Sequence, residues 1–146
     1  MKISTKVEFG IIALADIAIN SADGSIVSAA EISHRQNISQ KYLEQILVTL
    51  KQAGFIKGIK GSRGGYKLAK DSGSITFFDI LNALDNNILS NDLDIEEDSG
   101  LRSSVNNCIW EELSSRMSTF TKSMTLEQFI DIHKNGLPKQ EPMYYI

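Results

Sequence analysis

Two groups of side chains in this chain could do recognition chemistry, and they lie within thirty residues of each other. In SQKYLEQILVTLKQAGFIKGIKGSRGGYKL (Ser39–Leu68), Gln40, Lys41, Glu44, Gln45 and Gln52 share one face of an amphipathic repeat. Long polar side chains in that array suit base edges and phosphates: glutamate accepts from cytosine N4, glutamine pairs with adenine, and lysine holds phosphate or guanine. The second group is the tip Lys60-Gly61-Ser62-Arg63, flanked by Lys57 and Lys67. Basic side chains on a flexible turn suit the phosphate backbone or the minor groove. Either group could also be ordinary solvated surface, which is the simpler reading of Gln52.

The elements that must hold these groups follow from the apolar pattern. Leu43, Ile46, Leu47 and Leu50 fall at i, i+3, i+4 and i+7, which predicts a helix buried on that face. Ser39 suits its N-cap, Ile38 and Leu43 have the spacing of a hydrophobic staple, and Gly54 suits its stop. Phe55–Lys60 and Tyr66–Lys70 then read as the strands of a hairpin, with Gly61, Gly64 and Gly65 free to take positive φ in the turn. Upstream, Met1–Asn20 reads as a first helix with capping-box spacing at Thr5 and Glu8. Val7, Ile11, Leu14 and Ala18 form its stripe. Ser28 and Glu31 open a second, short helix to about Arg35, and Asn37-Ile38 is a tight link to the helix at Ser39. The predicted fold is mainly α (α+β), a winged helix-turn-helix. In such a fold the second helix of the pair enters the major groove.

The charge balance separates two halves. The 146-residue chain has net charge −3. Residues 1–70 carry ten Lys/Arg against five acids, a net +5, and residues 71–146 carry five against thirteen, a net −8. A nucleic-acid-binding half joined to a half with another task is the expectation. With 42% hydrophobic and 23% charged residues the chain is globular. It has neither an 18-residue apolar run nor a signal peptide, so no membrane partner is expected and a cytoplasmic location is. A single cysteine excludes an intramolecular disulfide framework and fits a reducing compartment.

The acidic half divides further. Thr76 and Asp79 mark a helix to about Leu84 that closes the first domain, residues 1–85. Residues 86–103 form a polar, acidic loop, and residues 104–134 hold a long helix (Ser104–Lys122) and a short one opened by Thr125 and Gln128. Val105, Ile109, Leu113, Met117 and Phe120 recur along the long helix with Trp110 beside them, which suits a dimerisation element. Packing back on its own domain is the competing reading. Residues 135–146 form a tail with Gly136, Pro138 and Pro142.

Several blocks in order resemble the Rrf-type family of bacterial winged-helix repressors, the family of IscR, NsrR and CymR. They are MKISTK, ISQKYLEQIL, KGSRGGYKLAK, ITFFDIL and IWEEL followed by TLEQF, and together they run nearly end to end. The resemblance implies a homodimer on a pseudo-palindromic operator in double-stranded DNA. It implies that Ser39, Gln40, Lys41, Tyr42, Glu44 and Gln45 face the major groove, and that Lys60, Gly61, Ser62 and Arg63 make the wing contact.

The family divides by its sensor. Cluster-binding members carry three cysteines before the long helix, the third near Ser104 here, and some add a histidine near Asn107. Residues 86–107 hold no cysteine, so a cysteine-ligated iron–sulfur cluster is not expected. What remains resembles the cysteine-metabolism branch, CymR, whose members respond to sulfur supply through cysteine synthase. The end Met143-Tyr144-Tyr145-Ile146 suits that partner: Tyr144, Tyr145 and Ile146 offer an apolar plug and a terminal carboxylate. A tail packed on its own dimer is the competing reading. Cys108 stands one residue inside the long helix. A packed small thiol is the plain reading, and a redox or metal role through two copies across a dimer is the other. Asp92, Asp94, Glu96, Glu97 and Asp98 suggest calcium, but Glu97 and Ser103 stand where an EF-hand loop needs glycine and glutamate. His34 and His133 have no partner at metal-ligand spacing. No catalytic constellation can be argued from spacing, so no enzyme, cofactor or metal site is expected.

Overall fold

The computed structural model describes residues 2–90 and 100–136. Its first helix, α1 (Thr5–Asn20), is followed by α2 (Ala29–Gln36) and α3 (Gln40–Gln52), and then by an antiparallel hairpin, β1 (Ile56–Ile59) and β2 (Gly65–Leu68). A 3₁₀ turn (Ser72–Ser74) leads into α4 (Phe77–Leu84). Helix α5 (Leu101–Val105) continues through a π-helical turn (Asn106–Trp110) into α6 (Glu111–Ser123), and α7 (Leu126–Asn135) follows. This is a winged helix-turn-helix with a long additional helix.

Helix α1 is the hub of the core. Val7, Ala13, Leu14 and Ile17 are fully buried, and the helix touches α2, α3, α4, β2 and α7. Its cap differs from the expected capping box. Ser4, not Thr5, takes the N-cap and its hydroxyl accepts from the Val7 N–H at 3.3 Å, so the helix starts at Thr5 rather than Met1. The other three boxes form as expected: Ser28 with Glu31, Thr76 with Asp79, and Thr125 with Gln128.

The hairpin is shorter than its sequence suggests, four residues on each strand. It gains a third edge instead. Val27 and Tyr66 exchange two backbone hydrogen bonds, of 2.9 and 2.7 Å, joining the chain before α2 to the wing. Gly65 makes this possible, because a Cβ there would lie 2.5 Å from the Val27 carbonyl oxygen. A similar clasp joins the starts of α4 and α7. The Phe77 N–H donates to the Met124 carbonyl and the Leu126 N–H to the Ile75 carbonyl, at 2.9 and 2.8 Å.

The long helix departs most from expectation. It begins at Leu101, not Ser104, and the π turn interrupts its 3.6-residue period. A π turn adds a residue, so apolar positions before and after it no longer share one straight stripe. Buried Asn106 and Thr121, with half-buried Val105 and Met117, are the better covered positions. Ile109, Trp110, Leu113 and Phe120 are 50%, 43%, 48% and 61% exposed. The reading in which this stripe packs back onto its own domain therefore does not hold for those four residues.

Candidate nucleic-acid interface

Helix α3 separates its two faces cleanly. Leu43, Ile46, Leu47 and Leu50 are buried, whereas Ser39, Gln40, Lys41, Glu44 and Gln45 are exposed. The Ser39 hydroxyl accepts from the Tyr42 N–H at 3.2 Å, which fixes the first turn. Ile38 and Leu43 both lie in the core at the staple positions. Gln40 Nε2 donates to Glu44 Oε1 at 3.4 Å, so these two polar ends are presented together. Tyr42 differs from its neighbours. It is half-buried and packs edge-on against Phe9, with ring centroids 6.0 Å apart, so its ring anchors α3 to α1.

Lys60, Gly61, Ser62 and Arg63 are all exposed at the tip of the wing. Gly61 has φ +132°, a conformation L side chains rarely adopt, and its carbonyl accepts from the Gly64 N–H at 3.0 Å to close the turn. Helix α3 and this tip are joined only by the turn at Gly54 and strand β1, so the two groups share one unit.

A buried carboxylate of α1 ties down the end of α2. Asp16, 2% exposed, accepts from Arg35 Nη2 at 2.7 Å and Nε at 3.0 Å, from Gln36 Nε2 at 2.8 Å and from Asn20 Nδ2 at 3.3 Å. Burial alone would raise its pKa. The bonds from Arg35, Gln36 and Asn20 outweigh that and hold the carboxyl below the ordinary carboxylate value, while the same pairing raises Arg35. Sequence reasoning passed over Asp16, and its signal was available: it is the one acid inside the apolar run Ala13–Ala18.

The remaining candidates are not drawn into the unit. Cys108 is exposed in the π turn, so within its own chain it is not the packed small thiol of the plain reading. Tyr144, Tyr145, Ile146 and the acids 92–98 lie outside the described residues. No group of three or more His, Cys, Asp or Glu side chains gathers among the described residues, and no helix there is long and apolar enough to cross a membrane.

With this geometry, the comparisons with known proteins converge. The Rrf2 family model, described as an iron-dependent transcriptional regulator, matches residues 3–132. The chain is 36% identical over 142 residues to the HTH-type transcriptional regulator IscR of Cereibacter sphaeroides, across 94% of this chain and 90% of that protein. Its fold superposes on CymR, the global cysteine regulator of B. subtilis, with TM-score 0.77 and 29% identity, covering 90% of this chain and 97% of that one. On T. potens IscR the TM-score is 0.75 with 30% identity, covering 99% and 97%. This chain belongs to the Rrf2 family of winged-helix transcriptional regulators. These relatives are DNA-binding regulators, not enzymes.

The family description implies iron, and the donor set can be tested against it. A cysteine-ligated cluster needs about four ligands, mostly thiolates. This chain has one cysteine and two histidines in total, and Cys108 stands exposed without a second thiol in its chain. A cysteine-ligated cluster does not fit these residues.

Proposed function

We propose that this chain is a homodimeric cytoplasmic repressor that binds a pseudo-palindromic operator and controls cysteine and sulfur genes without a cysteine-ligated cluster. The observation that carries the DNA-binding part is the exposed polar face of α3 beside a basic, glycine-shaped wing. Ser39, Gln40, Lys41, Glu44 and Gln45 read base edges, with Tyr42 holding the helix in place. Lys60, Gly61, Ser62 and Arg63 grip the backbone or minor groove. The dimer is supported by Ile109, Trp110, Leu113 and Phe120, large apolar side chains left open on one long helix, with Val105 and Met117 half-covered beside them. Two features support the sulfur assignment: a fold close to that of the cysteine regulator of B. subtilis and a chain without the thiols for a cluster.

Cysteine synthase is the proposed sensor partner, docked through Tyr144, Tyr145 and Ile146. Calorimetry of the full chain with cysteine synthase from the same cell, beside a version lacking Ile146, tests this. Binding that vanishes with Ile146 is the expected result, and no binding by either version removes the partner. In one variant of this reading, the chain is chiefly an adaptor inhibiting that enzyme. It requires that operator affinity be weak whether or not the enzyme is bound.

One observation favours a second signal. Cys108 is exposed on the same long helix as the apolar face, where a thiol from each protomer could form a disulfide or hold a metal. Its test is Cys108→Ser: operator binding that still responds to oxidant or metal in this variant eliminates the thiol as the sensor.

A further inference from the structure

We propose that the cleft between the last turn of α3 and the wing seats a backbone phosphate of bound DNA, with Lys51 as its cationic ligand. The inference rests on the reading of α3 and the wing as the DNA-binding surface, and adds a contact outside the face and tip described above. The cleft encloses about 460 Å3 and is lined by Lys51, Lys60, Ser62, Gly58 and Tyr66, with Ala29 at the start of α2. Two lysines and no acidic residue line it among the described residues. Neither lysine takes part in the ion pairs found there, which join Arg35 to Asp16 and Arg116 to Glu112.

Gly58 shows how Lys51 reaches the wing. A Cβ at Gly58 would stand 3.6 Å from Lys51 Nζ and 3.9 Å from the edge of the Tyr66 ring. The ammonium therefore crosses from the helix to lie over a strand position that has no side chain. A side chain much larger than a methyl group there would occupy its place.

Groove geometry identifies the occupant. With α3 in a major groove and the wing against the adjacent minor groove, the sugar–phosphate strand dividing the two grooves must pass between helix and wing. A phosphate is the group that strand presents, and a lysine ammonium binds it as a point charge. Ser62 and a second lysine, Lys60, also line the cleft.

The test uses the full chain and a duplex that it enriches from random sequence, with single phosphates replaced in turn by neutral methylphosphonate. Wild type should lose about tenfold in affinity at one linkage in each half-site. Lys51→Gln should weaken binding about tenfold on specific and random duplexes alike and lower the salt slope by about 1 per protomer. It should also become indifferent to that one linkage while keeping its response to the others, and Lys51→Arg should retain the response. Sensitivity that persists at every linkage in Lys51→Gln, whatever its affinity, overturns the seat and leaves the function intact. Failure of wild type to bind any duplex would instead overturn the DNA-binding reading itself.

Discussion

The two halves of this chain solve burial differently. In the first, α1, α2, α3 and the wing enclose a continuous core in which Leu14, Ile32, Leu43, Leu47, Leu50 and Ile56 are almost wholly covered. Their polar faces point outward in one basic unit. In the second, the long helix covers Asn106 and Thr121 but leaves Ile109, Trp110, Leu113 and Phe120 at 43–61% exposure. The core itself is shared, since Ile75, Ile80, Leu84, Leu126 and Ile130 of the second half join it; the long helix differs in leaving these four large apolar side chains open. On the proposed reading, recognition belongs to one half and assembly to the other, and the charges divide the same way, +5 against −8.

The largest effect is expected at the long helix. Leu113→Glu with Phe120→Glu should convert dimer to monomer in sedimentation. Operator affinity should then fall by about a hundredfold or more, because two half-sites are no longer engaged together. Circular dichroism should stay near wild type, since both positions are exposed. A variant that remains dimeric would return this face to ordinary surface.

The next effect belongs to the recognition half and has no counterpart in the other. Asp16→Ala removes the hydrogen bonds from Arg35, Gln36 and Asn20, and because Arg35 is partly exposed and can be solvated, it should cost about 1–2 kcal/mol in urea unfolding. The stabilisation from Asp16 has a defined pH sense. Its folded pKa lies below the ordinary value of 3.8, so the contribution is present above that value and is lost as pH falls through the lowered one. Acid should therefore destabilise wild type more than Asp16→Asn, and equal acid sensitivity would refute the ion pair's role.

Comparable effects separate α3 from the wing. Glu44→Ala should cost about 1–3 kcal/mol on the preferred operator and relax preference at one base pair. Arg63→Ala should weaken all sequences evenly and reduce the salt slope by about 1. An unchanged slope would remove Arg63 from the backbone contact. Smallest is Ser39→Ala, which removes the cap of α3 and should lower stability by about 1 kcal/mol without altering sequence preference.

Much of the first half is legible in the residues. The α3 stripe, the Ser39 cap, the Ile38–Leu43 staple and the glycine turn are local patterns whose periods survive into the fold. What is not legible depends on contacts distant in sequence. Asp16 and Arg35 are nineteen residues apart, and periodicity alone does not pair them. The bridge from Val27 to Tyr66 gives the wing an edge that no hairpin pattern contains. Lys51 is one more charge in a helical repeat until Gly58 brings its ammonium over the wing. The long helix misleads for a different reason: a count at 3.6 residues assumes a regular helix, and the π turn at Asn106–Trp110 breaks the count.

Selection of bound duplexes from a random pool by the full chain, followed by sequencing, bears most directly on the whole. The account predicts enrichment of an inverted repeat whose half-sites lie about one helical turn, roughly 34 Å, or a multiple of it apart, with the preference at one position relaxed in Glu44→Ala. Enrichment of an unpaired half-site, or of nothing, would contradict it.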